Sequence, residues 1–182
     1  MLESEEKSPH LFIFMGVSGT GKSRLAKHIA DEVSLVFIDA DDFHSAQAKK
    51  HMAENKPLTD EMRAPWLVRI TEHLAFLFSQ GNSVALAYSG LKSSHRDLFR
   101  ELPFYCHFFY LAAHKQVIAK RMTQRKSHFF SVELLDSQFE AMQAPLPREL
   151  DVNSINVNRD FLLVADEITK LTKKITRKNK NA

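Results

Sequence analysis

One cysteine, Cys106, in 182 residues excludes an internal disulfide and suits a reducing compartment. It lies in an apolar stretch, residues 104–111, and reads as a small core residue rather than a reactive thiol. No apolar run approaches the roughly 18 residues that a membrane span needs, and residues 11–15 are too few for a signal-peptide core. Acidic residues are missing from residues 170–182, which hold Lys170, Lys173, Lys174, Arg177, Lys178 and Lys180. Without those six, 19 basic residues face 22 acidic ones, so the tail alone accounts for the pI near 9.0. A basic run at a helix C-terminus is favoured by the helix dipole and is no argument for a nucleic-acid partner. Neither a repeat nor a linker interrupts the chain. Its 44% hydrophobic content predicts one domain, 1–182, with a flexible polar N-terminus (1–10) and a basic tail (about 176–182).

Glycine is also scarce, and its placement is informative. Three of the five glycines fall in the octet Gly16-Val17-Ser18-Gly19-Thr20-Gly21-Lys22-Ser23. An apolar run, residues 11–15, precedes the octet and reads as a buried strand. Leu25, Ala26, Ile29, Ala30 and Val33 follow at the spacing of an amphipathic helix. Strand, glycine loop and helix in this order make a P-loop, which predicts nucleotide binding. Glycines let the backbone close around phosphates, and the helix start aims free N–H groups at them. Gly16, Ser18, Gly19, Thr20 and Gly21 are thus candidate ATP contacts. Lys22 is placed to reach the β- and γ-phosphates, and Ser23 offers a hydroxyl to Mg²⁺.

A second strand, residues 35–38, runs into Asp39-Ala40-Asp41-Asp42. Carboxylates beyond the end of a parallel strand lie where ligands bind in such sheets. One can hold magnesium and another can orient or deprotonate an attacking hydroxyl; Asp42 is the one that reads as a mere cap. A short polar helix over 44–55 follows, and Thr59 reads as the N-cap of a helix burying Leu67, Ile70, Leu74 and Leu77. A third strand, residues 84–88, ends in Ser89 rather than in the acidic residue that many P-loop ATPases carry there. The magnesium carboxylate therefore falls to Asp39. A basic helix (93–101), a fourth strand (104–111) and a helix over 114–125 come next. The last of these sets Arg121 and Arg125 four apart on one face, as lid residues (lid about 120–131) able to stabilise a transferring phosphoryl. Ser131 reads as the cap of a helix over 132–143, and Pro145, Pro147 and Arg148 as a loop touching the adenine side. A fifth strand (152–157) and a closing amphipathic helix complete a parallel α/β sheet covered on both faces. His44 and His128 lack zinc-ligand spacing and read as polar contacts to an acceptor or as lid residues.

Several of these stretches together resemble one family, the gluconate kinases (gluconokinases) of the shikimate-kinase-like P-loop group, over residues 11–145. They are Asp39-Ala40-Asp41 with His44, residues 57–67 around Pro65-Trp66, Ser89-Gly90-Leu91-Lys92 with His95-Arg96-Asp97, and residues 125–129 and 134–139. The resemblance implies a three-layer fold with a five-stranded parallel sheet ordered 2-3-1-4-5 and a short lid. It implies transfer of the ATP γ-phosphate to the 6-hydroxyl of gluconate by a cytoplasmic, Mg²⁺-dependent homodimer with neither nucleic-acid nor membrane partner. Carried onto this chain, Asp39 sits near Mg²⁺ and Asp41 takes the hydroxyl. Arg63, Lys92 and Arg96 face the acidic substrate, and Arg125 belongs to the lid. The chain departs from the family pattern at Ala40, Ser45, Ala48, Asn55, Gly90, His95 and Ser127. The alternatives are a kinase of another small hydroxy acid or sugar, and a nucleotide-binding regulatory or nucleic-acid-end-processing protein.

Overall fold

A computed structural model describes residues 8–54, 56–123 and 132–178. Five parallel strands, β1 (His10–Met15), β2 (Val36–Asp39), β3 (Val84–Ala87), β4 (Tyr105–Ala112) and β5 (Val152–Asn156), form one sheet in the order β2-β3-β1-β4-β5. The seven helices among the described residues are α1 (Lys22–Val33), α2 (Ala46–Ala53), α3 (Asp60–Ser79), α4 (Ser93–Arg100), α5 (Lys115–Thr123), α6 (Val132–Ala141) and α7 (Phe161–Lys178). The sheet order and its helical cover are those expected.

β1 is the central strand, and every residue in it is buried. Its side chains alternate between the two faces of the sheet, as a strand's must. Phe12 and Phe14 enter the core under α1 and α7, with Leu25, Ile29, Val164 and Ile168. Leu11, Ile13 and Met15 enter the opposite core under α3 and α4, with Trp66, Ile70, Leu74 and Phe99. Burial of each such side chain contributes about 1.5–3 kcal/mol. A third, smaller cluster joins Val17 of the P-loop to Ile118 of α5 and Leu135 of α6. The helices that flank residues 124–131 therefore root on the phosphate loop itself.

The structure corrects two readings, at His10 and at Asp42. His10, expected in a polar tail, is the first residue of β1 and is buried, because it pairs with Tyr105 of β4. Asp42 caps nothing. Asp39 is the N-cap of the 3-10 turn Ala40–Phe43, its Oδ1 accepting from the Asp41 amide at 3.0 Å, and Ser45 caps α2. The loop carrying Pro145, Pro147 and Arg148 packs toward α4, with the Gln143 amide donating to Leu91 O at 2.8 Å and Arg96 donating to Gln143 O at 3.0 Å. Its Gln143 end is thus held by Leu91 and by Arg96 of α4. Thr59 does cap α3, accepting from the Met62 amide, and Pro65 lies inside that helix. Cys106 is half-buried, its Sγ donates to Phe99 O, and burial pushes its thiol up to about 12. α7 takes in residues 176–178 of the basic tail.

Candidate active site

The P-loop leaves β1 at Gly16, whose amide donates to Ser89 O at 3.0 Å, and enters α1 at Gly21. No side chain caps α1, and its first turn holds no acidic residue, so the helix start keeps its donors and partial positive charge for an anion. Lys22 Nζ donates to Val17 O at 3.0 Å, which folds it back over the loop. Burial lowers the Lys22 ammonium from its usual range, against the raising charges of Asp41 and Asp39. Gly19 adopts φ +83°, and a Cβ there would lie 2.8 Å from Ile118 Cγ2. Only glycine lets the loop pass so close to α5.

The carboxylates stand opposite Lys22. Asp39 ends β2, and the 3-10 turn that it caps presents Asp41 to the cleft. The Asp41 side chain is 83% exposed, with protein close enough on its inner side to desolvate the carboxyl in part. That desolvation raises its carboxyl above the usual range, as do the charges of Asp39 and then Asp42, while Lys22 and Lys49 pull it down. Asp39 and Asp41 offer hard oxygen donors of the kind magnesium takes, and a divalent cation would relieve the repulsion between them. The Asp39–Asp41 pair therefore suits such an ion.

α3 fixes the turn from beneath. Trp66 Nε1 donates to Ala40 O at 2.6 Å and Arg69 Nε donates to Phe43 O at 2.8 Å. The Trp66 indole stacks on His44 with ring centroids 4.3 Å apart and on Tyr88 at 5.1 Å. His44 is buried, its Nε2 lies 3.7 Å from Asp41 Oδ1, and its Nδ1 has no partner. Burial, then the charges of Lys49, Arg69 and Arg63, lower its pKa to about 4, so at neutral pH it is an uncharged ring. Ala48, where the family pattern has Asn, is buried at the start of α2.

Of the three basic residues expected to face an acidic substrate, the structure brings two together. Lys92 Nζ and Arg63 NH1 both bond the carboxylate of Asp60, at 2.6–2.7 Å and 3.0 Å. Arg96 is a correction. It is 1% exposed, and its guanidinium pairs in two-pronged fashion with Glu149 while NH1 donates to Gly90 O and Gln143 O. A basic residue near a strand end was read as a cleft residue, but the fold uses it to tie α4 to the 142–150 loop. Arg96 and Arg100 hold the Glu149 carboxyl down to about 2.

On the other side of the P-loop, a hollow of about 270 Å³ is lined by Gly19, Thr20, Arg24, Arg121, Arg159 and Phe161, among others. Arg121 NH2 donates to Val157 O at 2.6 Å, and the Arg24 guanidinium lies 3.7 Å over the Phe161 ring. Arg121 thus lines the same hollow as Gly19 and Thr20 of the P-loop. Arg125 and His128 lie outside the described residues, as does Ser131. Sequence reading missed Arg24, Arg159 and Phe161, although Arg159 follows the end of a parallel strand, a position that signals a ligand site. It also missed two polar links: Tyr88 Oη bonds His95 Nδ1 at 2.7 Å, and the Ser18 amide donates to Gln138 Oε1 at 2.7 Å.

Comparison with known proteins agrees with this geometry. A family model described as an AAA domain matches residues 11–148. The thermosensitive gluconokinase of Escherichia coli K12 is 38% identical, with 86% of this chain and 83% of that protein covered. The thermoresistant gluconokinase of the same organism is 36% identical, with 91% and 94% covered. A crystal structure of a gluconokinase from Sinorhizobium meliloti superposes with a TM-score of 0.79 at 32% identity, over 94% of this chain and 98% of that one.

Proposed function

The chain belongs to the gluconokinase family of P-loop kinases, and from that premise we propose that it transfers the ATP γ-phosphoryl group to the 6-hydroxyl of D-gluconate, giving 6-phosphogluconate. The observation that carries this reading is the 3-10 turn Ala40–Phe43, which sets Asp41 within electrostatic reach of Lys22 and 3.7 Å from His44.

In this reading the loop formed by Gly16, Ser18, Gly19, Thr20 and Gly21, opening onto the uncapped start of α1, cradles the phosphates together with the Lys22 ammonium, and Arg121 lies on the nucleotide side. Ser23 and Asp39 would hold Mg²⁺, which would supply positive charge against the phosphates. Asp41 orients the acceptor hydroxyl and accepts its proton as the oxygen bonds to the γ-phosphorus and ADP departs. The raised carboxyl pKa makes it a better base, and the Lys22 charge pulls the other way, favouring its ionised form. Neutral His44 hydrogen-bonds an acceptor hydroxyl, and Arg63 and Lys92 face the acceptor's carboxylate. Arg125 and His128 close the site from the lid, with Arg125 meeting charge on the transferring group. The whole chain acts as one domain, a cytoplasmic homodimer without a nucleic-acid partner. Among the described residues no helix is long and apolar enough to cross a membrane.

The test is a panel of acceptors. Purified protein with ATP and Mg²⁺ should release ADP with gluconate and not with glucitol, which keeps the hydroxyls but lacks the carboxylate. Equal turnover of the two would contradict the reading.

A further inference from the structure

Asp60 is the first residue of α3, but that helix does not need its carboxylate. Thr59 already caps it, and Glu61 supplies negative charge to the same first turn. The Asp60 side chain instead meets Lys92, thirty-two residues away, which bonds both of its oxygens at 2.6 and 2.7 Å. Arg63 adds a bond to Oδ1 at 3.0 Å. The Lys92 ammonium has no other partner among the described residues, and it holds the Asp60 carboxyl below the usual range. The two cations therefore already bind a carboxylate, with the geometry by which they would bind one on a ligand. At 63% exposure, the Asp60 side chain is solvated on its open side, so this is a replaceable contact.

We propose that Asp60 is a built-in occupant of the anion seat formed by Arg63 and Lys92, and that the carboxylate of an acidic acceptor displaces it on binding. The proposal rests on the reading of Arg63 and Lys92 as the acceptor's carboxylate contacts. A carboxylated polyol brings an equivalent anion and releases Asp60 to water. A neutral polyol finds the seat filled and offers nothing in exchange. Asp60 thus tempers the affinity for acidic acceptors, and it keeps the charges of Arg63 and Lys92 paired when no acceptor is bound.

Titration calorimetry of the full-length protein with gluconate, without nucleotide, tests this, with glucitol as the neutral probe. In Asp60→Asn, the loss of one exposed competing ion pair should tighten gluconate binding by about three- to tenfold and leave glucitol unchanged. Asp60→Ala should act in the same direction, and adding Lys92→Ala to Asp60→Asn should abolish the gain. Equal or weaker gluconate binding in both Asp60 variants, with unaltered thermal unfolding, overturns the proposal and marks Asp60 as a strut for Lys92. Tighter binding without phosphorylation would instead refute the proposed reaction while leaving the seat intact.

Discussion

The indole Nε1 of Trp66 donates a 2.6 Å hydrogen bond to the carbonyl of Ala40, twenty-six residues earlier, between the two aspartates of the site. Both residues are buried, so this one bond sets the height of the turn that carries Asp41 above the core. Trp66→Phe keeps a ring against His44 and Tyr88 but strands the Ala40 carbonyl. Unfolding in urea should report a loss of about 1–3 kcal/mol. kcat should fall more than the affinity for ATP, because the bond acts on the Asp41 turn and not on the P-loop.

Arg96 and Lys92 lie four residues apart and should behave oppositely. Arg96→Met leaves Glu149 without the partner that fills both its oxygens and should cost about 3–5 kcal/mol of stability, as removal of one half of a buried pair does. The KM for gluconate of the folded variant should stay near wild type. Lys92→Ala should do the reverse, raising that KM with little change in unfolding. Steady-state kinetics beside urea titration separates the two.

This contrast marks how far the sequence could be read. The P-loop was legible because its signal is local: glycine spacing, a strand before it and a helix after it determine the geometry within fourteen residues, from His10 to Ser23. Thr59 and the apolar face of α3 were legible for the same reason. Arg96 was not, because its direction depends on Glu149, fifty-three residues later, and on a loop whose path local pattern does not encode. His10 was misassigned because its burial comes from pairing with Tyr105 on β4 rather than from neighbours in sequence. The hollow beside Arg24 and Phe161 likewise joins α1 to α7 across the sheet edge, a contact that periodicity cannot supply.

The P-loop and the root of the lid should respond together. Gln138 of α6 accepts from the Ser18 amide at 2.7 Å and its Nε2 donates to Ser18 Oγ at 3.3 Å. Gln138→Leu removes both bonds at similar size and should cost about 1 kcal/mol of stability. Gly19→Ala forces a methyl toward Ile118, which is fully buried and cannot move aside. Both variants should weaken binding of a fluorescent ATP analogue, Gly19→Ala more than Gln138→Leu.

At the far end of β1, His10 Nδ1 and His107 Nε2 share a hydrogen bond of 3.2 Å, which requires at least one neutral ring. Burial lowers both, and His107, also facing His10, falls to about 4 from 6.5, with Asp151 opposing. Because the folded values lie below the unfolded one, the unfolded chain takes up protons first. This contribution to stability is complete above pH 6.5 and is lost as pH falls toward 4. Urea unfolding at pH 7.5 and 5 should show a marked loss for wild type and a smaller one for His107→Gln. Equal slopes would exclude the pair as the source.

The central claim is that Asp41 serves as the base for a carboxylated acceptor whose phosphoryl donor sits on Lys22. Its most direct measurement is ADP release with ATP, Mg²⁺ and gluconate, comparing wild type with Asp41→Asn, which keeps the size of the side chain and removes its capacity to accept the proton. We predict gluconate-dependent turnover in wild type and a loss of at least about a hundredfold in the variant, the usual scale for a general base. Turnover of Asp41→Asn at the wild-type rate would contradict the account.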